Sequence, residues 1–295
     1  MDNQKKAYLY ALTAVFLWST VASAFKLTLR HLDNVELLVF SNFFSLAILL
    51  VILTARGECG QLFRCSRGEY LRSLLLGLLN PFLYYLILFR AYELLPAQEA
   101  QPLNYTWAIT LSLLSVPLLG QRIGAGDLAG LLLGYCGVLV IATRGDVSGF
   151  QISEPTGVAL ALGSTIIWAL YWIYSTNDSR SPVLCLSMNF GFSLPAAVLF
   201  YLVFHPIRVP DLRGIIGAVY VGAFEMSITY VVWLSALRAS SSTARVASLI
   251  YISPFLSLVL IHFVLAEAIS GSTLAGLALI MAGLAAQKYW PRRRY

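Results

Sequence analysis

Charge is the scarcest property of this sequence. Only 12% of its 295 residues are Asp, Glu, Lys or Arg, whereas about one quarter of the residues in a soluble domain are charged. Hydrophobic residues make up 59% of the chain, and the mean hydropathy is +0.76. A soluble fold of this length could not hide so much apolar surface from water. The composition therefore excludes a soluble domain and predicts a chain that lipid solvates.

Residues that bind metals or carry out hydrolysis are also few. The chain has four cysteines and three histidines, and His31, His205 and His262 are too far apart in sequence to indicate a metal site. It contains no glycine-rich phosphate loop, hydrolase triad or metal-binding helix motif. We therefore expect no enzyme activity, no metal and no cofactor, and any energy for transport would come from a gradient.

Long apolar runs fill most of the chain. A transmembrane helix needs roughly 17–25 apolar residues, and continuous runs of this length favour helices over alternating strands. The first run follows Lys5 and Lys6 and resembles a signal peptide, but it is long for one, so we interpret it as the first span. Ten spans are predicted: residues 7–29, 35–54, 71–89, 98–119, 127–142, 156–175, 183–204, 215–237, 245–266 and 273–289.

The formal net charge of +6 is explained by topology rather than by nucleic-acid binding. If the N-terminus is cytoplasmic, fourteen Lys and Arg residues lie on the cytoplasmic side and six on the outer side. This bias is typical of membrane proteins, because Lys and Arg resist translocation. We expect both termini in the cytoplasm, and we expect the basic cluster Arg292–Arg294 to contact anionic lipid.

The two halves of the chain resemble each other. Gly77 and Asn80 align with Gly222 and Glu225 at an offset of 145, and Tyr105 aligns with Tyr251 at an offset of 146. Each predicted half, residues 1–145 and 146–295, holds five spans. Since five is odd, the second half would cross the membrane in the opposite direction. Such inverted repeats are typical of secondary transporters, whose substrate site lies near the midplane between the repeats.

Each half also ends in the same pattern, a polar residue followed by glycines nine and sixteen positions later: Gln121, Gly130 and Gly137 in the first, Glu267, Gly276 and Gly283 in the second, which adds Pro254 before it. This tandem pattern resembles the drug/metabolite transporter superfamily, EamA type, over nearly the whole chain. Gln121 departs from the usual Glu, at a position for which we expect a structural role. The segments Asn104-Tyr-Thr-Trp107 and Trp168-Ala-Leu-Tyr171 resemble those of the bacterial aromatic amino-acid exporters.

Aromatic side chains lie near the middle of several predicted spans. Trp and Tyr usually prefer the membrane interface, and their N–H and O–H groups need partners when buried. Such rings either pack the core or form the wall of a binding cavity for a flat, amphipathic ligand, and we predict the wall. The predicted wall residues are Tyr84, Tyr85, Tyr105, Trp107, Trp168 and Tyr171.

Glu225 is the most informative single residue. It lies near the middle of its predicted span, ten residues from Ile215 and twelve from Leu237, and its partner in the repeat is Asn80. An ionised carboxylate at that depth costs at least about 2.5 kcal/mol, so we expect Glu225 to be protonated or paired. It is therefore a candidate proton carrier or ligand of a substrate ammonium group. The structural alternative is a protonated Glu that hydrogen-bonds within the bundle. Asn80 would supply a second polar contact.

Prolines and glycines mark two further features. Pro102 and Pro254 lie in the paired fourth and ninth spans and are candidate hinges for alternating access, with static kinks as the alternative. Gly130 and Gly134 in the fifth span predict close packing against the tenth, which carries Gly276 and Gly283.

Together these features predict an all-α integral membrane protein with ten transmembrane helices, arranged as two inverted five-helix repeats around a central cavity. We expect a secondary transporter in the bacterial inner membrane that exports amino acids, with aromatic ones favoured, and related small metabolites. It would be a monomer or homodimer whose partners are its substrate and the lipid bilayer. The alternatives are a multidrug or cationic-compound effluxer of the same fold and an integral-membrane lipid-modifying enzyme.

Overall fold

A computed structural model describes residues 3–120, 124–146, 152, 154–175, 178–240 and 248–289. Gln121, Arg245 and the basic cluster Arg292–Arg294 lie outside these residues. Every regular element within the described residues is helical, so the predicted all-α class is confirmed.

Thirteen α-helices are present in this part of the chain, with one π-helical turn at Leu78–Leu83 and 3₁₀ turns at Cys59–Phe63 and Ser248–Ile252. The helices are α1 (Asn3–Thr28), α2 (Asn34–Ala55), α3 (Arg67–Gly77), α4 (Tyr84–Leu94), α5 (Ala97–Tyr105), α6 (Trp107–Leu119), α7 (Ala125–Ala142), α8 (Pro155–Ser175), α9 (Pro182–Phe204), α10 (Leu212–Phe224), α11 (Ile228–Ala239), α12 (Ser253–Leu265) and α13 (Gly271–Tyr289).

Each predicted span coincides with one of these helices or with two consecutive ones. Seven stretches in the described residues are long and apolar enough to cross a membrane: α1, α2, Arg67–Leu94, α7, α8, α9 and Leu212–Leu237. Two shorter apolar helices follow, at Leu249–Leu265 and Gly271–Gln287. The segment from α5 to α6 carries Gln98, Glu99 and Gln101 in its first half, which lowers its hydropathy. The figure of ten spans therefore stays a prediction.

Local sequence signals set several helix ends. Asp33 and Ser66 precede α2 and α3, and each side chain accepts a hydrogen bond from the third backbone N–H of its helix. Glu36 and Glu69 return a hydrogen bond to the capping residue, which completes a capping box and satisfies donors that the helix leaves open.

The helices form two compact units. The first comprises Met1–Phe89 and Asp178–Leu265, and the second comprises Arg90–Asn177 and Ala266–Tyr295. In the first unit α1 packs on α10, α11 and α12, while α2 packs on α9 and α10. In the second unit α13 packs on α7, and α8 packs on α5 and α6. Each unit takes helices from both predicted repeats, and the repeats themselves stay a prediction.

The closest helix packing in the second unit lies between α7 and α13. A Cβ atom on Gly137 would lie 2.5 Å from the backbone oxygen of Gly276, and one on Gly283 would lie 2.6 Å from that of Gly130. Only glycine allows the two backbones to approach so closely. The close packing of these two helices, predicted from their glycines, is confirmed.

A buried ion pair fixes the chain just before α9. The Arg180 guanidinium donates to both Asp178 oxygens at 2.6 and 2.9 Å and to the Ser73 hydroxyl at 2.9 Å. Both charged side chains are less than one tenth exposed. The hydrogen bonds from Arg180 stabilise the carboxylate form and lower the pKa of Asp178 to about 2. The hydrogen bond to Ser73 joins this loop to α3.

Candidate functional site

The third predicted span is interrupted at Asn80. Its backbone leaves the helical region there (φ −147°, ψ 120°), within the π-helical turn Leu78–Leu83 that joins α3 to α4. Pro81 follows and has no N–H to donate, and a residue before proline favours extended backbone. The Asn80 side chain is 4% exposed, and its Oδ1 has no hydrogen-bond partner among the described residues.

The eighth predicted span is interrupted at the position that the predicted repeat aligns with Asn80. Helix α10 ends at Phe224, and α11 begins at Ile228. The Ser227 hydroxyl donates to the backbone oxygens of Gly222 and Ala223 at 2.7 and 3.2 Å, and the Thr229 hydroxyl donates to that of Phe224. These hydroxyls satisfy carbonyls that the interruption frees, as an interruption within lipid requires.

Glu225 lies in this second interruption and is paired. The Tyr85 hydroxyl donates to its Oε1 at 3.0 Å. Tyr85 is 1% exposed, and its ring contacts Tyr84 and Phe89 with centroid separations of 4.7 and 5.2 Å. Tyr84, Tyr85 and Glu225 therefore lie together in the first unit, and Asn80 precedes Tyr84 by four residues on the same span. An acceptor held by a tyrosine among aromatic rings suits a proton or an ammonium group.

A second aromatic group lies in the second unit. The rings of Trp107 and Trp168 meet edge to face at 6.4 Å, and Tyr171 stacks on Trp168 at 5.9 Å. Trp172 contacts the same ring at 6.0 Å. Trp168 and Tyr171 are both less than one tenth exposed. Three of the predicted wall residues are thus in contact, together with Trp172, which the sequence analysis did not select although it lies four residues after Trp168.

Tyr105 ends α5, directly before a break in the fourth span. The chain is interrupted at Thr106, whose N–H donates to the Leu103 oxygen at 3.2 Å in a tighter turn. The break thus lies four residues after the predicted hinge Pro102, which is inside α5. Pro254 is the second residue of α12, where a missing N–H costs no helical hydrogen bond. The hinge roles of both prolines stay predictions.

Hydrogen bonds join α8 to the two helices of the fourth span. The Asn104 amide donates to the Ser164 hydroxyl at 2.9 Å, and Thr110 and Thr165 share a hydrogen bond of 2.9 Å. These bonds lie on either side of the break at Thr106, so they hold both pieces of the span against α8.

Glu267, which carries the acidic position of the repeat motif, has a structural role. Its two carboxylate oxygens accept the backbone N–H groups of Ala97 and Gln98 at 3.1 and 3.2 Å. These N–H groups begin α5, where helices leave donors open and favour negative charge. In return Gln98 accepts from the Ser270 N–H at 2.8 Å and donates to the Ala268 oxygen at 2.9 Å, next to the start of α13.

Two buried polar clusters were missed from the sequence. Glu99, 5% exposed, accepts a hydrogen bond from Arg144 at 2.8 Å. Asn42 on α2 donates to Ser193 on α9 at 2.7 Å, and both are fully buried. A signal for the second cluster exists, since the segment 42–46 reads Asn-Phe-Phe-Ser-Leu and 189–194 reads Asn-Phe-Gly-Phe-Ser-Leu. Gly191 is an extra residue in the second segment, so an alignment of the two halves at a fixed offset misses this match.

Comparison with known proteins gives the family. The EamA-like transporter family matches residues 5–143 and again 155–286. The chain belongs to the EamA-like transporter family. This bears out the resemblance drawn from the glycine pattern, and it makes the chain a transporter of the drug/metabolite superfamily.

Several relatives cover nearly the whole of this EamA-like chain. The aromatic amino acid exporter YddG of Ancylobacter novellus is 27% identical over 99% of this chain and 100% of its own. A probable amino-acid metabolite efflux pump of Salmonella typhimurium is 27% identical over 96% and 94%. A solved crystal structure matches with a TM-score of 0.67 over 96% of both chains at 26% identity.

The EamA-like site offers no evident metal centre. Among the described residues, no group of three or more His, Cys, Asp or Glu side chains could hold a metal ion. The polar groups at the two helix interruptions are the Asn80 amide, the Ser227 and Thr229 hydroxyls and the Glu225 carboxyl group. The site can therefore offer hydrogen-bond acceptors, one titratable carboxyl and aromatic faces.

Proposed function

We propose that this EamA-like transporter exports amino acids, with aromatic ones favoured, from the cytoplasm by alternating access. The observation that carries the proposal is the Glu225 carboxylate, which lies at a helix interruption and accepts a hydrogen bond from Tyr85. Interrupted helices near the middle of a span are where secondary transporters bind substrates and coupling ions. The named relatives, an aromatic amino acid exporter and amino-acid metabolite efflux pumps, support the substrate class.

Each unit offers its own groups for substrate binding. In the first unit, Glu225 and Asn80 would supply acceptors for the ammonium group, and Tyr84 and Tyr85 would contact the side chain. In the second unit, Tyr105, Trp107, Trp168 and Tyr171 would supply aromatic faces. Glu225 would also carry a proton, since protonation is one way to release a bound ammonium group.

The inverted repeat and the membrane topology belong to the same proposal. Within the first unit α10 packs on α2 and α3 packs on α9, the two pairings that a two-fold repeat exchanges. Likewise α1 packs on α12 in the first unit, while α8 packs on α6 in the second. These paired contacts support two five-span repeats, 1–145 and 146–295. The proposed location in the bacterial inner membrane, with both termini cytoplasmic, rests on the distribution of Lys and Arg along the sequence.

Flux measurements in proteoliposomes test the proposal. Wild-type protein should move labelled L-phenylalanine or L-tryptophan and should respond to an imposed pH gradient. Glu225→Gln keeps the shape and the acceptor oxygen for Tyr85 but cannot release a proton, so its flux should lose the response to pH. Glu93→Gln, which removes a carboxylate paired with Arg90, is the matched control and should keep it.

The aromatic group is tested separately. Trp168→Ala should weaken transport more than Trp168→Phe, since the phenyl ring retains part of the contact with Trp107 and Tyr171. The amount of folded protein in each variant is compared by size-exclusion chromatography in detergent. Absence of amino-acid flux in wild-type protein would refute the export function. Full pH dependence in Glu225→Gln would remove this residue from coupling.

A further inference from the structure

Helices α2 and α9 pack against each other in the first unit and carry two related polar pairs. Asn42 and Ser45 are three residues apart on α2, and Asn189 and Ser193 are four residues apart on α9. These spacings place both members of a pair on one face of their helix. The matching segments 42–46 and 189–194 align Asn42 with Asn189 and Ser45 with Ser193. All four side chains are no more than 1% exposed, so their polar groups depend on partners within the protein.

Two hydrogen bonds between these helices are equivalent under the alignment, and one of them is present. The Asn42 amide donates to the Ser193 hydroxyl at 2.7 Å. The equivalent bond would run from the Asn189 amide to the Ser45 hydroxyl, but Ser45 Oγ has no hydrogen-bond partner among the described residues. A buried polar group without a partner is costly, and each such group in a native structure calls for an explanation. A second state in which Ser45 is bonded supplies one.

The two bonds lie close together on the same interface. Under the predicted topology, the second and seventh spans cross the membrane in opposite directions. Three residues forward on α2, from Asn42 to Ser45, therefore correspond to about as many backward on α9, from Ser193 to Asn189. The two positions are about one helical turn, or roughly 5.4 Å, apart, and helices at switching interfaces shift by about 1–2 Å. A shift of that size breaks a bond of 2.7 Å and changes which pair is within reach.

Equivalent helices cover the two pairs. Helix α3 packs on α9 and α10 packs on α2, and each contact includes a glycine that the predicted repeat aligns with the other. A Cβ atom on Gly77 would collide with the backbone oxygen of Asn189, and one on Gly222 would lie 3.0 Å from the backbone nitrogen of Ser45. Helix α3 leads into the first helix interruption and α10 into the second. A shift of α2 against α9 at the polar pairs is therefore passed to both interruptions.

We propose that these four side chains form a hydrogen-bond switch between the two states of the transport cycle. The bond from Asn42 to Ser193 stabilises the state seen in this structure. The bond from Asn189 to Ser45 replaces it in the state that opens to the other side of the membrane, since alternating access moves one repeat against the other. The inference rests on the proposed alternating access and on the predicted inverted repeat, and it extends them to the residues that set the balance between the states.

Hydrogen–deuterium exchange of the full-length protein in proteoliposomes measures this balance, because exchange reports local opening. Under the predicted topology, Arg67–Gly77 lies in the cytoplasmic half of its span and Leu212–Phe224 in the outer half of its own, so opening to either side exposes one of them. Ser193→Ala removes the bond of this state, and Ser45→Ala removes that of the other. We expect the ratio of the two exchange rates to shift about 3- to 20-fold in opposite directions, the factor that one interhelical hydrogen bond supplies.

Matched serines on the same two helices provide the controls. Ser41 on α2 and Ser187 on α9 are buried, and their hydroxyls bond back to their own helices. Ser41→Ala and Ser187→Ala should leave the ratio within twofold of wild type. The double variant Ser45→Ala/Ser193→Ala should also return close to wild type, because it removes one bond from each state. If Ser193→Ala is not recovered folded, Asn42→Ala removes the same bond from the donor side.

The outcomes separate this inference from the proposed function. If wild-type protein moves labelled L-tryptophan but the two single variants shift the exchange ratio in the same direction, or not at all, the switch is wrong and the export function stands. A double variant displaced further than either single variant would also overturn the switch. If wild-type protein moves no amino acid while the single variants still shift the ratio in opposite directions, the export function fails and the switch stands.

Discussion

Substitution of Gly137 by alanine tests the close packing of α7 against α13. The added Cβ would lie 2.5 Å from the Gly276 oxygen and 2.9 Å from Ile280 Cγ1, so the backbones must move apart. Alanine also favours the helix by about 1 kcal/mol over glycine. A single substitution therefore reports the sum of two opposed contributions.

Gly191→Ala in α9 supplies the correction. No atom lies within 4 Å of a Cβ built there, so this variant gains helix propensity without a clash. The propensity contribution cancels when the two variants are compared with each other. What remains is the cost of overpacking at Gly137, roughly 1–3 kcal/mol, which corresponds to about 2–12 °C in Tm at roughly 2–4 °C per kcal/mol.

Thermal unfolding of detergent-solubilised protein, followed by a thiol-reactive dye, is a suitable assay because the four cysteines are free. Gly191→Ala should melt at or above wild type, and Gly137→Ala should melt several degrees below Gly191→Ala. Scan rates are kept equal, since unfolding of such proteins is often irreversible. If Gly137→Ala melts as high as Gly191→Ala, the backbones of α7 and α13 do not restrict the space at Gly137, which would contradict the close packing described above.

Three further predictions concern stability. Glu267→Ala removes the cap of α5 and should lower the free energy of unfolding by about 1–2 kcal/mol in detergent melts, whereas a melt equal to wild type would contradict the cap. Asp178, whose pKa is lowered to about 2, stabilises the fold above its unfolded value near 4 and loses this effect as the pH falls towards 2. Asp178→Asn should therefore lower Tm at neutral pH and flatten Tm across that acidic range, and equal acid dependence in both proteins would refute the ion pair. Asn42→Val should cost roughly 0.6–1.7 kcal/mol, as for other interhelical hydrogen bonds in membranes, and Ser193→Ala should add little to it, whereas fully additive losses of Tm would show that the two side chains act independently.

The helices could be predicted from sequence because long apolar runs determine them, and each predicted span coincides with helical segments. The interruptions were harder to predict. Pro81 marks the first one, but no Pro or Gly lies within Glu225–Ser227, where the second occurs. Its cause is local hydrogen bonding by Ser227, which sequence periodicity does not reveal.

The candidate site was partly predictable. An acid in the middle of an apolar span predicts a partner, and Tyr85 is that partner, but the pairing joins helices far apart in sequence and needs the fold. Glu99 escaped notice because it lies among other polar residues at a span end. Trp172 was not predicted because its contact with the Trp168 ring depends on the side-chain arrangement in the fold.

The reciprocal caps at Glu267 and Gln98 have a mechanical consequence. Glu267 accepts hydrogen bonds from the first N–H groups of α5, and Gln98 in α5 accepts one from Ser270, directly before α13. The beginnings of α5 and α13 are therefore bonded to each other. Helix α13 also packs closely on α7, with Gly276 against Gly137 and Gly283 against Gly130. A displacement of α5 must therefore move α13 and α7 with it. Within this unit, α5 can then bend relative to α6 only at the break at Thr106, which separates the two helices.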